Sequence, residues 1–199
     1  MSATQTRPHD QPTTRPDSTG PAQRLLATAS NLFAAQGIRA VGIDQILREA
    51  GVAKASLYSS YGSKDALVIA YLNELDQADR KRWEARTSGL DDPVDKLLAF
   101  FDLADAAARK RQFRGCLYAN AATEFPDDTL EPVRAHRVWV LTQLSTLLRE
   151  AEVSNPNAAA QQVQLIYDGA LTASKLERST APITLARAMV AELIASTRR

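Results

Sequence analysis

Residues 54–61 read Lys-Ala-Ser-Leu-Tyr-Ser-Ser-Tyr, which gathers an ammonium, serine hydroxyls and two phenols into about two helical turns. On a helix held in place by Leu57, the outward positions are Lys54, Ala55, Ser56, Ser59 and Ser60. Their small side chains let a backbone come close to base edges. Lys54 and the serines can donate to base acceptors or phosphates, and Tyr58 offers a hydroxyl within reach of a sugar-phosphate backbone. That is chemistry for nucleic-acid recognition.

Two short helical segments are needed to present this face. Ile43, Ile46, Leu47 and Ala50 recur at helical spacing before Gly51, and Leu57 follows it. Gly51 falls where a tight turn needs positive φ, so the stretch reads as a helix-turn-helix. Ala50, Val52 and Leu57 lock the two helices from inside. A purely structural corner is the plainer reading of such a motif, and the combined spacing of Gly37, Gly51, Leu57-Tyr58 and Lys64 argues against it. Upstream, a helix from Pro21 carries Leu25, Ala29, Leu32 and Phe33 and ends on Gly37 as a left-handed cap. Downstream, Ser63 caps a long fourth helix that begins with Lys64 and Asp65 and runs to about Arg82 or beyond.

The rest of the chain continues in helical periodicity. Asp92-Pro93 opens a fifth helix with Phe100 and Phe101. A short sixth holds Cys116, Leu117, Ala119 and Ala122 and closes at Pro126. A seventh runs from about Leu130 to Ala151. The eighth carries Val163, Ile166, Tyr167, Ala170 and Leu171, and the ninth Ala186, Met189, Val190, Leu193 and Ile194. No segment has the alternation of a strand. With aromatics at only 6% and prolines sitting between the periodic segments, the expected fold class is all-α. It comprises an N-terminal three-helix helix-turn-helix domain and a larger C-terminal helical domain. The expected divisions are a disordered tail over 1–19, the helix-turn-helix domain over 20–66 and a regulatory and dimerisation domain over 67–199. The tail is polar and Pro-rich, and Arg7 and Arg15 could touch a DNA backbone, though a passive tail is preferred.

Charge bounds the mode of binding. The net charge is only +1, and residues 1–65 hold seven Lys/Arg against five Asp/Glu. Affinity for DNA must therefore draw on geometry and pairing of subunits as well as charge. One cysteine, Cys116, excludes an intrachain disulfide. No apolar run is long enough to span a membrane, and no secretory signal is read at the N-terminus, so a cytoplasmic protein without membrane contact is expected. No nucleophile–base pair, catalytic carboxylate pair, phosphate loop or metal-ligand spacing occurs. The chain is accordingly expected not to be an enzyme and to need no cofactor or metal; a small-molecule-binding enzyme is kept as a rival. His136 is read as a lone structural histidine, and Arg109, Lys110, Arg111 and Arg114 as a solvated loop. Cys116 is read as a buried structural cysteine, with a thiol-sensing regulator as the alternative.

Residues 24–72 resemble the DNA-binding domain of the TetR family of bacterial transcriptional regulators. The match lies in Leu32-Phe-Ala-Ala-Gln-Gly37, Ile46, Ala50-Gly-Val52, Leu57-Tyr58, Tyr61 and Ser63-Lys-Asp65. Two positions depart from the family pattern. Gly42 and Ala53 stand where a capping hydroxyl is common, so phosphate contacts there would be backbone-only or absent. The resemblance implies that Lys54, Ala55, Ser56 and Ser60 face bases, that Tyr58 and Lys64 grip phosphates, and that Tyr61 anchors the recognition helix on the fourth. With Ser59 and Gln45 these make the expected DNA-binding set. It also implies a homodimer through the last two helices on double-stranded, pseudo-palindromic operator DNA, with recognition helices about 34–36 Å apart. An unidentified small-molecule effector among the fifth to eighth helices would shift the fourth helix and release a repressor from its operator. Helix faces nominate Phe100, Phe101, Cys116, Tyr118, Asn120, Trp139 and Tyr167 as its pocket.

Overall fold

The computed structural model describes residues 20–198, so the 1–19 segment and its Arg7 and Arg15 lie outside the described residues. Among these, nine helices form: α1 (Pro21–Gln36), α2 (Ile43–Ala50), α3 (Lys54–Ser60), α4 (Lys64–Thr87), α5 (Pro93–Lys110), α6 (Leu117–Glu124), α7 (Glu131–Glu150), α8 (Pro156–Glu177) and α9 (Ala181–Thr197). Strand pairing among the described residues is limited to an isolated bridge between Val153 and Arg198. The fold is all-α.

Local chemistry sets the helix starts. Proline occupies the first turn of α1, α5, α7, α8 and α9, where its missing N–H is not needed and its fixed φ suits a helix. The Ser63 hydroxyl accepts from the Ala66 N–H at 3.0 Å, and the Asp92 carboxylate from the Val94 N–H at 2.7 Å. α4 extends beyond Arg82 to Thr87. Cys116 lies outside α6: its sulfur caps the helix, taking the Ala119 N–H at 3.5 Å.

Two hydrophobic cores form. The first holds Leu25, Phe33, Ile46, Leu57, Leu67 and Leu72, and it also takes in Leu117, Tyr118 and Ala121 of α6. The second is built from α5, α7, α8 and α9, around Phe101, Leu144, Leu148, Ile183 and Ile194. Asp102 on α5 stitches the second core across helices, taking Arg86 of α4 at 3.0 Å and Arg187 of α9 at 2.9 Å. The ninth-helix stripe divides. Ile183, Ala186, Val190 and Ile194 are buried in the core, whereas Leu185 and Met189 face outward.

Gly51 has φ 63° and ψ 41°, the left-handed conformation the turn requires. Gly37 also has positive φ, at 94°, but with ψ 157° it leaves α1 in an extended rather than left-handed cap. A Cβ on Gly37 would lie 3.0 Å from Oε1 of Glu124 on α6, while one on Gly51 would meet open space. The Glu124 carboxylate is itself held, since Oε2 accepts the Arg39 N–H at 2.6 Å. Gly51→Ala should therefore cost about 1–2 kcal/mol from backbone strain alone. Gly37→Ala should cost more, because it also displaces Glu124. Urea unfolding checks the order; equal losses would show that the Glu124 contact carries no energy.

Candidate nucleic-acid interface and ligand cavity

α3 is held from below by Leu57, which is fully buried, and by the Tyr61 hydroxyl, which donates to the Ala22 carbonyl of α1 at 2.8 Å. The hydroxyl thus bonds to α1, while the ring packs against the core that α1 and α4 share. Lys54, Ala55, Tyr58, Ser59 and Ser60 are exposed on one side of the helix, with Tyr58 48% accessible. Ser56 is half-buried. The Ser59 hydroxyl turns back on the Ser56 carbonyl at 3.2 Å. Gln45 lies half-buried on α2, its amide donating to Glu49 at 3.0 Å and approaching Gln36 at 3.5 Å.

Lys64, expected at a phosphate, is half-buried at the start of α4. Its ammonium donates to the Ile38 carbonyl at 2.8 Å and sits 5.9 Å from the centre of the Phe33 ring. A half-buried lysine with a backbone acceptor and an aromatic face beneath it braces the α1–α2 corner.

A cavity of about 110 Å³ lies between α4, α5, α6, α7 and α8. Of the residues nominated from helix faces, Phe100, Cys116, Tyr118, Trp139 and Tyr167 line it. Phe101 does not; it is buried in the second core, edge-on to Tyr167 with ring centres 5.3 Å apart. Asn120 also turns elsewhere, bonding the Arg114 carbonyl at 2.9 Å and Lys175 at 2.9 Å. Trp83 completes the aromatic wall, stacked on Phe100 at 5.4 Å, with Trp139 edge-on to both.

The polar lining is where sequence reasoning fell short. Asp79, Arg82, Arg111, Arg114 and His136 all reach the cavity. Arg111 and Arg114 thus leave the solvated loop expected of them. The Tyr118 hydroxyl donates to Asp79 at 2.8 Å, and its ring stacks on His136 with centres 3.8 Å apart. Asp79 also pairs with Arg82 and lies 4.0 Å from Arg111. Burial pushes the Tyr118 phenol far up, and Asp79 adds to this, so it remains a donor. Burial likewise raises the Cys116 thiol, partly opposed by backbone N–H groups of Ala119 and Tyr118. Thiolate is disfavoured there.

Burial lowers the His136 pKa below its ordinary value of 6.5, although Asp76 accepts from Nδ1 at 2.8 Å and pulls the other way. The folded protein keeps this imidazole neutral where the unfolded chain would already be protonated. The stability it confers is complete above about pH 6.5 and is lost as the pH falls from there towards the lower folded value. His136→Asn should preserve a donor to Asp76 and flatten the fall in stability between pH 7.5 and 5.5 (about one unit either side of the free histidine value). Urea midpoints at the two pH values measure this, and identical pH dependence in both proteins would remove His136 as the cause.

Residues 25–71 match the family model described as bacterial regulatory proteins, tetR family. The chain is 31% identical to a TetR-family transcriptional regulator from Streptomyces coelicolor of known structure, with TM-score 0.84 and coverage of 90% of this chain and 97% of that one. It is 27% identical to the reduced form of NemR from Escherichia coli, with TM-score 0.73 and coverage of 85% and 94%. It is also 28% identical over 184 residues to the transcriptional regulator AcuR of Cereibacter sphaeroides, covering 84% of this chain and 82% of that protein. These relatives are transcriptional regulators, not enzymes. The helix-turn-helix on Gly51, the exposed α3 and the similarity along nearly the whole chain together place this protein in the TetR family of bacterial transcriptional regulators.

Proposed function

We propose that the protein is a cytoplasmic, effector-responsive repressor that binds a pseudo-palindromic operator as a homodimer and leaves it when a small molecule occupies the cavity between α4 and α8. The observation that carries this reading is the shared helix α4. Its first residue braces the α1–α2 corner, and its Asp79, Arg82 and Trp83 line the cavity. Residues 20–66 act as the reader and 67–199 as the regulatory and dimerising part. The printed description of NemR as a repressor supports the sign of regulation.

Dimerisation through α8 and α9 is supported by an apolar outer face. Leu165 is 67% exposed, Leu176 79%, Leu185 63% and Met189 47%. Shallow grooves run between these side chains, lined by Gly169, Ala173, Ala181 and Pro182. Small residues there let a second pair of helices approach closely. The two-fold pairing supplies the effective concentration that a nearly neutral chain needs to hold DNA.

On DNA, Lys54, Ala55 and Ser60 face bases with Ser56 and Ser59 at their flank, and Tyr58 meets a phosphate. Gln45 supports from α2. Lys64 acts on DNA mainly through the α1–α2 corner, where one of its three N–H groups donates to the Ile38 carbonyl and its ammonium lies over Phe33. A thiol sensor at Cys116 is disfavoured by the same burial that raises its pKa and by its capping contact with α6.

Selection of bound genomic fragments by the purified protein gives the operator. On that operator, Lys54→Ala should relax the preference for the bases it contacts more than it alters the slope of log affinity against log salt, and unchanged base preference would take Lys54 off the reading face. Lys64→Ala should weaken binding while leaving the slope unchanged, and a slope change for Lys64→Ala would return it to the phosphate set.

Leu165→Glu with Met189→Glu should give a folded monomer by sedimentation with little operator affinity. A stable dimer from that double variant would exclude the α8–α9 face as the interface. Failure to select any fragment would overturn the reading as a whole.

A further inference from the structure

We propose that the cavity takes a small aromatic carboxylate, its ring held against Trp83, Phe100 and Trp139 and its carboxylate received by the guanidinium of Arg114 with Arg111 beside it. This rests on the reading of the cavity as the effector site and names the class of effector.

Charge decides the sign of the ligand. Three guanidinium groups, of Arg82, Arg111 and Arg114, line the cavity against one carboxylate, that of Asp79. Asp79 is already engaged by Arg82 and by the Tyr118 hydroxyl. His136 is neutral and brings no negative charge. The lining therefore carries excess positive charge in a partly desolvated space, where an anion is attracted more strongly than in water.

Arg114 is the group in want of a partner. Its Nε is buried and makes no hydrogen bond among the described residues. A buried N–H of a charged group left unpaired costs more than a neutral one. A carboxylate that reaches Nε and an adjoining guanidinium N–H is held in the two-point geometry that arginine favours. Arg111 lies next to it, 4.0 Å from Asp79 at its nearest approach, so it is only weakly committed there.

The walls decide the rest. Trp83, Phe100 and Trp139 lie with ring centres 5.4–5.9 Å apart, which offers flat apolar faces. Three aromatic rings could also suit a cation. The Trp139 face, however, already carries the Arg80 guanidinium at 4.9 Å, and a further cation would meet the arginines of the lining. The volume of about 110 Å³ is below the roughly 300–1,000 Å³ of ordinary ligand sites, which restricts the occupant to a single ring rather than a fused system.

The position of Arg114 also explains how such a ligand would be felt at a distance. Arg114 borders a second, much smaller gap, shared with Phe33, Gly37, Ile38 and Glu124. A ligand that draws the guanidinium towards the cavity therefore acts on a side chain that also borders the gap beside the α1–α2 corner.

The protein has two tryptophans, Trp83 and Trp139, and both are in the wall. Intrinsic fluorescence of the full-length protein thus reports on this cavity. Benzoate, benzamide and benzylammonium serve as probes of one shape and three charges. Benzoate should change the emission saturably, benzamide should bind about tenfold or more weakly, and benzylammonium should not bind. Arg114→Gln should weaken benzoate by about tenfold or more and leave benzamide unchanged. Equal binding of benzamide or benzylammonium, or no saturable response to benzoate, overturns the proposal. So does undiminished benzoate binding in a folded Arg114→Gln. Should Arg114→Gln fail to fold, the three probes on the unaltered protein carry the test. Benzoate that binds in this way without releasing operator DNA leaves the ligand class standing and overturns the effector role of the cavity.

Discussion

The hydrogen bond from the Tyr118 hydroxyl to Asp79 ties together the two halves of the molecule. The ring of Tyr118 belongs to the hydrophobic core beneath the helix-turn-helix, and its hydroxyl belongs to the cavity wall. A buried hydrogen bond to a carboxylate contributes about 1.5–3 kcal/mol when satisfied. Asp79 is anchored on α4, so the bond fixes where α6 meets α4. His136 stacks on the same ring and is itself held by Asp76, one helical turn before Asp79 on α4. The position of α6 is thus set by two carboxylates of one helix, each satisfied through an aromatic partner.

That constraint gives the small helix α6 its reach. Leu117, Tyr118 and Ala121 fill the first core, and Glu124 at its far end accepts the Arg39 N–H. Lys64 holds the same corner from the other side through the Ile38 carbonyl. The loop between α1 and α2 is therefore clamped by an anion from α6 and a cation from α4. Both clamps sit on elements that also wall the cavity. A change in the cavity that moves either helix has a short, packed route to the corner on which α2 and α3 rest.

The sequence made the helix-turn-helix legible because everything that defines it is local. The left-handed Gly51, the Ser63 cap and the buried Leu57 each depend on neighbours a few residues away. Helix starts were readable for the same reason, since proline and capping side chains mark them. Packing across the chain was less so. Phe100 and Phe101 are adjacent on α5 and point about 100° apart, so only one could face the cavity, and nothing in the sequence says which. Arg111 and Arg114 read as part of a solvated basic loop, and His136 as a lone structural histidine, until α4, α5 and α7 are brought together. The Lys64 ammonium needed the Ile38 carbonyl, twenty-six positions away. The partner of Tyr61, the Ala22 carbonyl on α1, is more distant still, thirty-nine positions away.

These errors share a direction. Hydrophobic periodicity tells which face of a helix is buried but not what a polar group at the edge of that face will meet. Here the edge groups carry the chemistry. Apolar positions alone would describe a closed, structural bundle, with Trp83, Phe100 and Trp139 as ordinary core. Asp79, Arg111, Arg114 and His136 make it a cavity, because burying that many polar groups without filling the space between them is unfavourable for a purely structural core. A chain selected for stability alone would replace them with leucine. Their presence, with one guanidinium N–H left unpaired, is the observation on which the proposed effector site rests.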